Sequence, residues 1–138
     1  MQPILQPVIA LVLWSFVMMA WLYAMRLPAM ARHKLAFDKT RPPSEFINSF
    51  PAHVNWPAQN FSHLMEQPTV FYAVALTLAF IGHGDGVNSA LAWAYVALRV
   101  AHSLVQAAVN IVSLRFLIFI ASALVLLALT IRAAQAVF

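Results

Sequence analysis

The sequence predicts an all-α membrane protein: four transmembrane helices in one antiparallel bundle, both termini on the non-cytoplasmic side. Three observations carry that expectation. Hydrophobic residues make up 63 % of the 138-residue chain and charged residues 9 %, against about 25 % charged in a soluble domain. The apolar residues gather into four stretches, and a spanning helix needs about 20. The basic residues cluster around one loop, as Arg26, Arg32, Lys34, Lys39 and Arg41, which the positive-inside rule places in the cytoplasm. The net charge of +4 therefore reports topology, and no aromatic-and-basic pattern points to nucleic acid. The absence of cysteine excludes a disulfide framework, a thiolate metal site and a cysteine nucleophile.

The first span covers about residues 4–27, where Val8 to Met25 is apolar except for Ser15. Its front end lacks a basic segment and the run exceeds the roughly 7–15 residues of a signal-peptide core, so a membrane helix is expected. Pro7 is tolerated in a first turn, and Pro28 is read as the end of the helix. The cytoplasmic loop, about 30–57, is broken by Pro42-Pro43 and Pro51. Its Phe37, Phe46, Phe50 and Trp56 predict that it folds back on the helices or the interface, with any helix in it short.

The second span, about 58–81, has an apolar core only from Thr69 to Ile81. That is too short to cross alone, so the polar turn with Asn60, His63 and Glu66 is drawn to membrane depth. Pro68 is expected to kink it and free the carbonyl near Leu64. Gly82-His83-Gly84-Asp85-Gly86 holds three glycines in five residues, which marks a loop tip rather than a metal site. The third span is about 88–111 and the fourth about 114–134, and their short link makes them antiparallel neighbours.

Arg99, His102, Gln106 and Asn110 follow at steps of three, four and four, so they share one helix face inside an apolar span. A central Arg costs about 2.5–3.5 kcal/mol to insert, so this face must meet protein or water. The stripe is either internal packing or a site. At about 1.5 Å per residue, Glu66 lies about 12 Å, His102 about 14 Å and Arg99 about 18 Å from the cytoplasmic ends of their spans. Glu66 is the one acidic residue at such depth, and it is predicted to pair with Arg99, either within one chain or between neighbouring subunits. Arg115 stands at the cytoplasmic mouth. His63 and His102 on facing helices also allow a haem or metal reading, although no further ligand accompanies them.

Two motifs in this chain resemble the superfamily of membrane-associated proteins in eicosanoid and glutathione metabolism (MAPEG). One is Arg99-x-x-His102 followed thirteen residues later by Arg115, which is similar to microsomal glutathione transferases without a gap. The other is Gln59-x-x-x-His63-x-x-Glu66-Gln67-Pro68 and then Phe71, where the family pattern is Arg-x-x-x-Asn-x-x-Glu with a Pro and Phe soon after. Pro42-Pro43-Ser44-Glu45-Phe46 resembles some members more weakly. The resemblance implies a four-helix homotrimer with glutathione bound between subunits near the cytoplasmic side, and with membrane lipid and a lipophilic small molecule as further partners. It implies Arg115 as the residue that stabilises the glutathione thiolate, and Gln59, His63, Glu66, Gln67, Arg99, His102 and Gln106 as the glutathione-binding set.

The chain departs from that pattern at several of these positions. The family's Arg is Gln59 here, its Asn is His63, the Tyr after the Glu is Gln67, and the helix-three Tyr falls on Gln106. The expected function is a glutathione-dependent transferase or peroxidase acting on lipophilic electrophiles, as a multi-pass protein of a bacterial inner membrane. The alternative is the same fold without the chemistry, binding a lipid-like ligand or a partner.

Overall fold

The computed structural model describes residues 1–33 and 40–138. Lys34, Phe37 and Lys39 lie outside the described residues. The chain forms α1 (Leu5–His33), α2 (Pro43–Asn48), α3 (Ala52–Leu64), α4 (Gln67–Phe80), α5 (Gly86–Leu104), a π turn (Val105–Val109) and α6 (Val112–Val137). Leu5–Arg32 and Val112–Val137 are each long and apolar enough to cross a membrane. α5 packs along α6, and α1 packs along both α3 and α5. One core joins them, with Leu11 and Met18 from α1, Leu64 and Phe71 from the second pair, Tyr95 from α5 and Leu129 from α6. Phe71 and Tyr95 stack at 4.6 Å between ring centroids. Large apolar side chains such as Leu13, Phe16, Leu117 and Leu124 stay exposed on the outer walls of α1 and α6, where lipid solvates them at no cost.

α1 does not stop at Pro28. Pro28 sits inside a 29-residue helix, although a Pro in a helix interior typically costs about 3 kcal/mol. The reason lies in packing. Ala29, Phe50 and Val54 form a second buried cluster, with Met25, Met30 and Phe46 against it. Each large apolar side chain buried contributes about 1.5–3 kcal/mol, so this cluster offsets the lost hydrogen bond. For Phe46 and Phe50 it also meets the expectation that the loop aromatics fold back: both pack at this cluster, with their rings edge to face at 5.5 Å. α2, wholly inside the loop, has only six residues, but α3 also begins there, at Ala52, ahead of the expected start of the second span near residue 58.

The second stretch is broken rather than kinked. α3 ends at Leu64 and α4 begins at Gln67, with Glu66 (φ −96°, ψ −95°) between them. Pro68 falls in the first turn of α4, where its missing N–H removes nothing a helix needs. α5 also ends early, closed by the π turn, after which Asn110 takes the left-handed conformation (φ 51°). At the opposite end of the bundle the amino terminus is pinned to the glycine turn. Ile4 N donates to Gly84 O (2.8 Å) and Gly84 N to Gln2 Oε1 (3.0 Å). Asn88 Nδ2 donates to His83 O (2.7 Å), and Asn88 Oδ1 accepts from Arg132 Nε on α6.

Candidate functional site

The polar residues of the second and third stretches separate into an inward cluster and an outward patch. Inside, Arg99 is 0 % exposed and His102, Gln106, Ser122 and Asn60 are buried with it. Their placement follows from helical spacing: 99, 102 and 106 lie on the α5 face turned to the bundle, and Phe119 and Ser122 lie on the facing side of α6. The Gln67 amide oxygen is the hub. It accepts from Tyr95 Oη (3.2 Å), Ser122 Oγ (3.4 Å) and Arg99 Nη1 (3.5 Å). Arg99 Nη2 donates to the His63 carbonyl (3.4 Å), and the guanidinium lies over the Phe119 ring at 5.9 Å. The helix break supplies that carbonyl. It is one residue before Leu64, next to the carbonyl the sequence singled out.

In the π turn, Gln106 Oε1 accepts from Asn60 Nδ2 (3.0 Å), which ties α3 to that turn. The imidazoles of His63 and His102 stand 6.1 Å apart between centroids, nearly perpendicular. Among the described residues, no group of three His, Cys, Asp or Glu side chains stands close enough to hold a metal.

The predicted Glu66–Arg99 pair does not form within the chain. The Glu66 side chain is 68 % exposed and its carboxylate lies 3.5 Å from His63 Nδ1, while Arg99 is served by neutral oxygens. The physical reason is the break at Met65–Glu66. It starts α4 at Gln67, so that Gln67 turns inward and Glu66 outward. Gln59 is likewise exposed, and His63 is half-exposed. The outward patch is therefore Gln59, His63 and Glu66 on α3 and its end.

Arg115 hydrogen-bonds to neither group, although its charge is felt at His102. It is half-buried in the first turn of α6, and its Nη1 donates to Asn110 Oδ1 at 2.6 Å. No side chain caps the N-terminus of α6 and no acidic residue lies in its first turn. A cation at that end opposes the helix dipole, and guanidinium and dipole together favour an anion there. Of the residues that complete the inward cluster, Tyr95, Phe119 and Ser122 were not selected from the sequence. Tyr95 and Ser122 carry a readable signal: they extend the 99–102–106 face by one turn and supply a hydroxyl opposite it.

A helical bundle with broad apolar outer walls and a polar interior centred on a buried Arg belongs to an all-α membrane protein. The family model described as MAPEG family matches residues 4–135, nearly the whole chain, and the chain belongs to that family. No curated protein and no solved structure matches it.

Proposed function

We propose that this MAPEG-family protein is a glutathione-dependent transferase acting on lipophilic electrophiles that enter from the bilayer. The observation that carries the reading is Arg115, a half-buried guanidinium at the uncapped N-terminus of a 26-residue helix. Both features favour a thiolate over a thiol, because a nearby positive charge stabilises the ionised form. In the reaction the glutathione thiol releases its proton to water and the sulfur attacks the electrophilic carbon. A carbon–sulfur bond forms as the leaving group departs with the bond's electron pair. A peroxidase activity would use the same thiolate. Gln59, His63 and Glu66 form a polar patch on an otherwise apolar wall, which suits closure by a neighbouring copy in a homotrimer and contact with the glutathione backbone. Four spans follow when α3 and α4 together make the second crossing. Both termini then lie outside the cytoplasm, as in a multi-pass protein of a bacterial inner membrane.

One observation favours the alternative, a MAPEG fold that binds a lipid-like ligand or partner without chemistry. Gln67, Arg99 and Gln106, all expected to bind glutathione, are engaged inside the bundle. One experiment separates the two readings. Purified protein is titrated with glutathione while the ultraviolet absorbance of the thiolate is followed, for wild type and Arg115→Ala. Saturable binding with a thiolate signal that Arg115→Ala removes supports the transferase. No binding at millimolar glutathione, or a silent Arg115→Ala, supports the second reading.

A further inference from the structure

The path from α5 to α6 is unusual in its local geometry, and one residue closes it. Asn110 N donates to Val105 O at 2.6 Å, an i to i−5 bond that widens the last turn of α5. Single π turns of this kind occur disproportionately at functional sites. Asn110 then adopts φ 51° and ψ 40°, a conformation that Asn tolerates better than other non-glycine residues. Ile111 is extended, and Arg115 N donates to Ile111 O as α6 begins. The outcome is that the Asn110 side chain lies beside the first turn of α6 and takes Arg115 Nη1 at 2.6 Å.

We propose that Asn110 is the positioning residue for Arg115: the π turn and the left-handed residue aim a neutral amide oxygen at the guanidinium and fix it at the N-terminus of α6. This inference rests on the reading of Arg115 as the thiolate-stabilising group. Chemistry favours an amide over a carboxylate at position 110. An Asp would hold the guanidinium equally well but cancel its charge toward an incoming anion, whereas an amide oxygen orients it and leaves the charge intact. The contact commits one of the five guanidinium N–H donors, and the fork geometry then fixes the directions of the rest.

The test compares wild type, Asn110→Gly, Asn110→Asp and Arg115→Ala by the pH titration of glutathione thiolate absorbance in purified protein, with the glutathione Kd measured alongside. Asn110→Gly accommodates the left-handed backbone and removes the whole amide side chain, the oxygen that holds Arg115 included. It is expected to raise the titration midpoint by about 0.5–1 unit, a roughly three- to tenfold loss of thiolate below the midpoint, with Kd changed less than the midpoint. Asn110→Asp keeps both backbone and oxygen and decides the matter where Asn110→Gly does not fold. It is expected to raise the midpoint at least as far, through charge cancellation. A purely structural role would lower Tm and leave the midpoint in place. Wild-type midpoints in both Asn110 variants, with Arg115→Ala displaced, would overturn this inference and keep the transferase reading. A wild-type protein that forms no thiolate would overturn both.

Discussion

The Arg99 guanidinium lies 3.5 Å from the Gln67 amide oxygen, and that oxygen also receives the hydroxyls of Tyr95 and Ser122. Three donors from α5 and α6 thus converge on one acceptor at the first turn of α4. A buried charge served only by neutral oxygens depends on each of them, because a group left without partners inside a bundle retains its full desolvation cost.

Gln67→Leu is therefore expected to lower the unfolding free energy in detergent by about 2–4 kcal/mol, since it takes an acceptor from Arg99 and Tyr95, whereas Ser122 keeps the Phe119 carbonyl at 2.8 Å. Arg99→Met should cost a similar amount alone. The double variant should recover part of the loss, because no charge is then left behind. Strictly additive losses in thermal or denaturant melts would mean that the two side chains act independently.

Glu66→Gln is expected to change stability by less than about 0.5 kcal/mol, as an exposed substitution does. Combined with Arg99→Met it should be additive within about 0.5 kcal/mol. A coupling well above that in the assembled protein would place the Glu66 carboxylate against Arg99 of another copy.

Gly84→Ala should destabilise the fold by about 1–3 kcal/mol, the usual range for forcing extra atoms into a packed site. A Cβ at Gly84 would stand 2.6 Å from Ile4 Cγ2 and 2.9 Å from Gln2 Oε1, so the buried Ile4 side chain and the Gln2 amide that pin the amino terminus must give way. Faster proteolysis or hydrogen exchange at residues 2–5 would report that release, and a variant as protected as wild type would refute it.

Periodicity made part of this molecule legible. Arg99, His102 and Gln106 follow the 3.6-residue rule on one face, and all three are buried as that rule requires. The same rule misplaces Asn110, because the turn Val105–Val109 is π rather than α, closed by the Asn110 N to Val105 O bond, and position 110 leaves the stripe for Arg115. Composition alone carries no sign of that turn. Pro68 announced an interruption, but whether Glu66 or Gln67 faces inward depends on where the next helix starts, which is set by packing against Tyr95 and Ser122. Pro28 misled for the converse reason: the side chains that hold the helix together beyond it, Phe50 and Val54, come from about twenty residues further along the chain.

The continuation of α1 past Pro28 sets a height. Twenty-nine residues at about 1.5 Å each make a rod of about 43 Å, against about 30 Å of hydrocarbon in a bilayer. Standing upright, the rod overshoots the oily layer by about 13 Å. With the apolar run Val8 to Met25 centred in the hydrocarbon, most of that excess falls at the far end, and the turns bearing Ala29 and Arg32, braced by Phe50 and Val54, would stand beyond the acyl chains.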